Sequence, residues 1–355
     1  MNREAYDGPY RHADLLGFSK ELLQRVGAEQ SKAETVAEIL LEGDLMGHTT
    51  HGMQMLRKYL DELEQGKMKG EGDPIIISDN GSALCWDGCY LPGPWLTVMA
   101  IEKAMGRLEK YPVVTAVIQR SHHIASLASY PKIATDRGFM MLLVCSDPST
   151  ECVAPYGGIT PVYTPDPLAA GIPTAGKPII IDISMSTVAL GPSMRMRKED
   201  RLSPQPWYLD GHGNPTGDAG VLFQDPPGSI LPLGGVDLGY KGFALGLLIE
   251  ALTSALGGVG RAAGVDQFEA SVFLQLIDPE AFGGREKFLV ETEWLSQACR
   301  ASQTKPGSPP VRLPGERALS LREEQLESGV HLYPGILGGL KDWADKLGVP
   351  MPESA

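Results

Sequence analysis

Apolar residues recur at helical spacing near the start of the chain. Leu15, Leu16, Phe18, Leu22, Leu23 and Val26 share one face, and Gly27 supplies a left-handed stop. Ser31-Lys32-Ala33-Glu34 has the form of a capping box, after which Val36, Ile39, Leu40 and Gly43 predict a second helix running towards Gly47. A third periodic segment covers 53–64, so the chain opens as a helical unit with no strand signal inside it. From Pro74 the pattern changes. Ile75-Ile76-Ile77 and Ala83-Leu84-Cys85-Trp86 flank Asn80-Gly81, the dipeptide that tight hairpins prefer. Further strands are expected at 113–118, 139–145, 179–183 and 270–277, and helices at 94–111, 125–138 and 242–257. The segment 185–235 is dense in Pro, Gly and Asp and predicts loops laid over a surface. Residues 301–311 read as a linker, and Ser320-Leu321-Arg322-Glu323 as a second capping box before a last helical region. The middle of the chain is therefore α/β, and no internal repeat is present.

Length and charge narrow the function classes. A chain of 355 residues implies two or three domains at roughly 150 residues each. The longest apolar runs, 139–145 and 242–256, fall short of the ~18 residues a bilayer-spanning helix needs. With 31 basic against 44 acidic residues the net charge is −13, which opposes attraction to nucleic acid or anionic lipid. Neither is expected as a partner. The N-terminus lacks the basic and apolar regions of a signal peptide, so a cytoplasmic location is expected. Among five cysteines only Cys85 and Cys89 lie close, with no second pair for zinc, so no metal is expected and the thiols read as reduced.

Two familiar cofactor motifs fail on context. Gly258-Val259-Gly260-Arg261-Ala262-Ala263 matches a dinucleotide fingerprint by letters but follows a long helix, where that motif needs a preceding strand. Gly171-Ile172-Pro173-Thr174-Ala175-Gly176-Lys177 begins like a phosphate loop, yet Pro178 occupies the place of the magnesium-binding hydroxyl, which leaves a turn. Four of the chain's seven histidines come in pairs, His48 with His51 and His122 with His123. Thr49, Thr50 and Gly52 disfavour a helix around the first pair and place it at a helix end or loop, where metal binding, a capping role and proton transfer all stay open. The second pair ends a strand, and extended neighbours point to opposite sides, so at most one can face a given site. Asp182 is embedded in Ile179-Ile180-Ile181 and Ile183. A carboxylate there needs a cation or histidine, or a strand end open to a cavity. Lys241, in Gly239-Tyr240-Lys241-Gly242, has glycines that let a ligand approach the backbone, or is a plain helix-start lysine.

These segments together resemble the malate/L-lactate dehydrogenase type 2 (L-sulfolactate dehydrogenase-like) oxidoreductases, a family that also holds a Δ1-piperideine-2-carboxylate reductase. The resemblance rests on Gly47-His48-Thr49-Thr50-His51-Gly52, Ser121-His122-His123, Val153-Ala154-Pro155-Tyr156-Gly157-Gly158, Ile181-Asp182-Ile183-Ser184-Met185-Ser186, Asp210-Gly211-His212-Gly213-Asn214-Pro215-Thr216, Leu233-Gly234-Gly235, Gly239-Tyr240-Lys241-Gly242 and Leu313-Pro314-Gly315-Glu316-Arg317, in that order. It implies a homodimeric NAD- or NADP-dependent enzyme with a non-Rossmann α/β sandwich domain at 73–311 and a helical domain from 1–72 plus 312–355. By the same resemblance His51 is the proton carrier beside nicotinamide, with His123 and Asp182 as further catalytic residues. Cofactor contacts carry over to His51, Ala125, Ser126, Leu127, Ile180, Ile181, Asp182, Ile183, Ser184, Tyr240, Lys241, Pro314, Gly315, Glu316 and Arg317, and substrate contacts to Thr50, Met55 and His123.

The departures bear on substrate. Thr50 replaces a serine and keeps a hydroxyl. Where the family often has an arginine suited to a substrate carboxylate, this chain has Met55. That favours an apolar or aromatic 2-oxo acid over a dianion and points to the hydroxycarboxylate dehydrogenase branch, with cyclic-imine or N-alkyl amino-acid reduction as the alternative. Arg57 and Arg120 are the candidate replacements for the missing cation. Thr164-Pro165-Asp166-Pro167 stands where the family commonly reads Gly-Thr-Asn-Pro, exchanging an amide for an acid.

Overall fold

The computed structural model describes residues 6–355. Its elements follow the order β1 (Asp7–Tyr10), α1 (His12–Arg25), α2 (Gln30–Leu45), α3 (Leu56–Glu64), β2 (Ile75–Asp79), β3 (Ala83–Asp87), α4 (Gly93–Met105), β4 (Val113–Ser121), α5 (Pro131–Thr135), β5 (Met140–Ser146), β6 (Leu168–Ile172) and β7 (Ile179–Ile183). There follow α6 (Leu190–Lys198), β8 (Tyr208–Leu209), β9 (Pro215–Thr216), β10 (Ser229–Ile230), α7 (Gly235–Leu238), α8 (Tyr240–Glu250), β11 (Ala270–Ile277), α9 (Arg285–Arg300), α10 (Glu316–Ser328), β12 (Val330–Leu332) and α11 (Lys341–Leu347).

The main sheet has seven strands in the order β2-β3-β4-β11-β5-β6-β7. Only β3 and β4 pair in parallel; the other neighbours are antiparallel. Its central strands read as near-continuous apolar runs because both faces are covered. Val114, Ala116 and Ile118 of β4, Leu143 of β5 and Leu274 of β11 pack with α1–α4 and α11 in one core. Val117, Val144 and Phe273, one position out of phase, meet Ile249 of α8 on the other face. This alternation is the period of two that a pleated strand imposes.

The two ends of the chain close on each other. β1 pairs antiparallel with β12, Trp343 Nε1 donates to Asp61 Oδ1 at 2.9 Å, and Gln325 Nε2 donates to the carbonyls of Asp44 and Leu45 at 3.0 Å. Among the described residues no helix is long and apolar enough to cross a membrane.

Several local expectations are corrected. Helix α2 begins at Gln30 with no side-chain cap, and Glu34 pairs with Lys20 instead of closing a capping box with Ser31. Ser320 and Glu323 lie inside α10, which starts after Gly315 at φ +86°, and Glu316 there accepts from the Leu313 N–H at 2.9 Å. The helix expected over 125–138 shrinks to α5 preceded by a short turn, because Pro131 has no N–H and the preceding residues line the site in extended form. The 185–235 segment holds α6 as well as loops and the small β8–β10 sheet. Strand β6 and helix α9 carried no signal that the pattern analysis used. The glycine run at 258–263 is a helix end and turn, and Thr174 to Lys177 form the turn between β6 and β7, as their context required.

Candidate active site

The turn joining α2 to α3 carries His51 into a cavity of about 1060 Å³. Helix α2 stops at Leu45, Gly47 takes φ +83°, and the His51 N–H donates to the His48 carbonyl at 2.9 Å. Asp44 lies beneath the turn and accepts from the Met53 N–H at 2.6 Å. Position 52 has to be glycine here, since a Cβ would fall 2.3 Å from Asp44 Oδ2. Thr50 Oγ1 is 2.9 Å from His51 Nδ1, which fixes the ring and leaves Nε2 unengaged by that contact. Burial, helped by the neighbouring His48 and Arg195, pushes the His51 pKa down to about 4, so its imidazole is uncharged at neutral pH.

His123 stands opposite, its ring stacked on His51 with centroids 5.7 Å apart. The Ala125 N–H donates to His123 Nδ1 at 3.2 Å, so that nitrogen is an acceptor and the neutral ring carries its proton on Nε2. Tyr59 Oη lies 2.9 Å from the same nitrogen and donates to the His123 carbonyl at 2.9 Å. Ala125 takes φ +59°, costing on the order of 1 kcal/mol for a residue with a Cβ. His122 is wholly buried outside the cavity, and its nearest acid is Glu62, 3.9 Å from Nε2. The pair lies in the loop after β4, where both rings meet Tyr59 and Phe268, and His123 is the one that lines the cavity.

Asp182 reaches the cavity from the end of β7, but its histidine is His48, with Oδ2 3.7 Å from Nδ1. It also accepts from the Ala128 N–H at 3.1 Å, and burial raises its pKa. Ala125, Ser126, Leu127, Ile183 and Ser184 line the same cavity, as do Thr50 and Met55. Ile180 and Ile181 do not; Ile180 packs with Met46, Ala128 and Leu319 and accepts no ligand-facing role. Behind β7, the Ile180 N–H donates to Pro314 O at 3.2 Å, and Gly315 is pressed against Ile180. Glu316 and Arg317 line a second hollow with Lys177 and Arg312. Tyr240 and Lys241 are exposed at the start of α8 and do not line the main cavity. Among the described residues no three His, Cys, Asp or Glu side chains converge as a metal site.

The candidate replacement cations are both engaged. Arg57 pairs with Asp342 at 2.8 Å, and Arg120 with Asp87 away from the cavity. Asp166 is fully buried, accepts from Thr164 Oγ1 at 2.7 Å, and has its pKa raised by burial and by Glu250. The cation that sequence reasoning missed is Arg195 of α6. Pro192 in a first turn, followed by six residues without a breaker, was the available helix signal.

The match to known proteins covers the same elements. The profile described as malate/L-lactate dehydrogenase matches residues 10–341. The chain belongs to this family. It is a nicotinamide-dependent oxidoreductase by that membership, working with NAD or NADP. It is 28% identical to the L-lactate dehydrogenase of Cupriavidus necator over 94% of this chain and 97% of that one. In fold it is similar to the malate dehydrogenase of Entamoeba histolytica, with a TM-score of 0.91, 22% identity, and coverage of 98% and 100% of the two chains. It is also similar to the Δ1-piperideine-2-carboxylate reductase of Pseudomonas syringae, with a TM-score of 0.84, 24% identity, and coverage of 95% and 100%. The sandwiched seven-strand sheet with helices on both faces is the α/β architecture of these neighbours.

Proposed function

We propose that the protein interconverts a 2-oxo acid and the corresponding 2-hydroxy acid with NAD(P)H, and that His51 carries the proton at the substrate oxygen. The observation that carries this reading is the uncharged His51 ring, clamped by Thr50 and stacked on His123, facing a cavity large enough for a cofactor and a small acid. The lining fits a nicotinamide: the Ser126 hydroxyl is buried without a partner, and Ile124, Leu127 and Ile183 give an apolar wall. When bound, the cofactor supplies or accepts the hydride at the substrate carbon. His51 then gives one proton to the carbonyl oxygen in reduction, or takes the hydroxyl proton in oxidation, so hydride plus proton balance the alcohol formed. His123 fixes the face of His51, and Asp182 with His48 closes the cofactor side.

Cofactor contacts in this proposal are supported by the cavity wall at Ala125, Ser126, Leu127, Asp182, Ile183 and Ser184, while Ile180, Ile181, Pro314, Gly315, Glu316, Arg317, Tyr240 and Lys241 enter by family likeness alone. The helical unit of 1–72 and 312–355 against an α/β unit at 73–311 belongs to the same reading. Its support is that Tyr333, Ile336 and Leu340 join the N-terminal turn in the cavity wall. A homodimer is likewise proposed, supported by Leu247 and Leu248 near α8's end and Val290 and Trp294 on α9, all more than half exposed. A cytoplasmic location completes the proposal.

An apolar substrate tail is supported by Met55, Met53, Met194 and Phe268 in the wall. Reduction of a cyclic 2-imino acid is the second reading, favoured by the fold shared with the piperideine-2-carboxylate reductase. The test is absorbance at 340 nm with NADH or NADPH and pyruvate, oxaloacetate, phenylpyruvate, hydroxyphenylpyruvate or a cyclic 2-imino acid. Oxidation with a 2-oxo acid is expected; oxidation with the imine alone selects the second reading, and silence with all of them overturns both.

A further inference from the structure

We propose that Arg195 holds the carboxylate of the substrate, a monocarboxylate whose apolar tail lies against Met55 and Met194. This deepens the 2-oxo acid reading and rests on it for the class of ligand. The Arg195 guanidinium lines the cavity, half-buried, and its hydrogen-bond partners among the described residues are neutral. Nη1 donates to Thr49 Oγ1 at 2.9 Å, Nη2 donates to Gln54 Oε1 at 2.6 Å, and the group lies 3.6 Å from the centre of the Tyr333 ring. Among the described residues no carboxylate is within ion-pair distance of it. A desolvated cation with only neutral partners is costly until an anion arrives, and burial lowers its pKa accordingly. Two of the five guanidinium N–H groups are used, which leaves donors for a carboxylate.

The other cations of the cavity are differently placed. Arg57 is paired with Asp342 at 2.8 Å and Lys58 with Glu62 at 3.1 Å, while Lys198 is exposed at the end of α6. One half-buried cation without a carboxylate partner matches one carboxylate. Its position also matches the chemistry. Thr49 and Gln54 flank His51 in the turn, and Gly191, one helical turn before Arg195, lies close enough that a Cβ there would fall 3.4 Å from His51 Cε1. A carboxylate on Arg195 therefore sets the directly bonded 2-oxo carbon beside His51. Because the Arg195 charge helps depress the His51 pKa, a bound carboxylate also returns proton affinity to that ring.

The test is calorimetric binding of phenylpyruvate, and of phenylacetone, which lacks the carboxylate, to the wild type and to Arg195→Gln and Arg195→Lys, each saturated with oxidised cofactor. Wild type is expected to prefer phenylpyruvate. Arg195→Gln should weaken phenylpyruvate roughly 10- to 100-fold, leave phenylacetone and cofactor affinity unchanged, and thus lose the preference. Arg195→Lys, which keeps charge without the planar fork, should fall between. Equal losses for both ligands would show Arg195 to be only a staple for the turn and overturn the proposal. So would loss of cofactor affinity in place of carboxylate affinity, or no phenylpyruvate binding by wild type. Phenylpyruvate that binds through Arg195 while no 2-oxo acid of the panel is reduced in the 340 nm assay would instead sink the dehydrogenase reading alone.

Discussion

A histidine uncharged at neutral pH is a ready base for the hydroxyl of a 2-hydroxy acid, and burial sets that state in His51. Replacing His51 with alanine removes the proposed proton carrier but none of the apolar wall formed by Ile124, Leu127 and Ile183. Turnover is expected to fall by roughly 10²- to 10⁴-fold while the cofactor Kd from fluorescence titration stays put; an unchanged kcat would remove His51 from the mechanism. Met55 lines the cavity and, in the proposed reading, separates it from one built for a dianion. Met55→Arg adds an unpaired cation to a wall that has Arg195, and the ratio of kcat/KM for oxaloacetate over phenylpyruvate is expected to rise by at least about tenfold, the worth of one charge-assisted pair. A ratio that does not move would place Met55 away from the substrate's tail.

At the scale of elements, the α2–α3 connection is held from below by one acid. Asp44 is fully buried and its pKa is pushed up to about 7 by desolvation, against the opposing effect of the Met53 N–H. Between its unfolded value of 3.8 and about 7 the folded chain keeps a proton that the unfolded chain has released. The unfolded state thus binds fewer protons there, and stability falls as pH rises through this window. Its contribution is full below about pH 4 and lost above about pH 7. Asp44→Asn removes the titration, so the drop in unfolding free energy between pH 5 and 8 should be smaller than in wild type, by on the order of a few kcal/mol. Parallel denaturation curves at both pH values would check it, and identical pH dependence would mean that Asp44 does not take up a proton on folding as its burial implies. The same anchor explains Gly52, since no side chain fits between the turn and the carboxylate.

Over the whole molecule, α8 and α9 leave large apolar side chains uncovered while the sheet beneath is closed on both faces. A second copy covering either of these surfaces is expected to give a light-scattering mass of twice 38.2 kDa. Leu248→Glu on α8 or Trp294→Glu on α9, each placing charge on an exposed apolar surface outside the cavity, should shift the protein towards monomer. A wild type that runs as a monomer at micromolar concentration would remove the dimer from the proposal.

The sequence by itself determined what depends on neighbours along the chain. Helical periodicity located α1, α2 and α3, and apolar runs located β4, β5, β7 and β11. The expectation that only one of His122 and His123 faces a site agrees with the cavity wall, although the two lie in the loop beyond β4 and strand alternation is not the reason. Context alone disqualified the glycine run at 258–263, because a motif that needs a strand before it cannot follow a helix. The Thr-His-Gly turn was legible as a break in helix propensity. What only the tertiary structure decided are pairings between distant segments. Asp182 required a partner on electrostatic grounds, yet that the partner is His48 follows from how β7 lies against the end of α2. Capping boxes at 31–34 and 320–323 failed because Glu34 and Glu323 found lysines elsewhere in space. Arg195 carried no special signal among its neighbours Arg197 and Lys198. Its distinction is a balance of charge and burial inside a cavity, and that balance exists only once Thr49, Gln54 and Tyr333 have been brought around it.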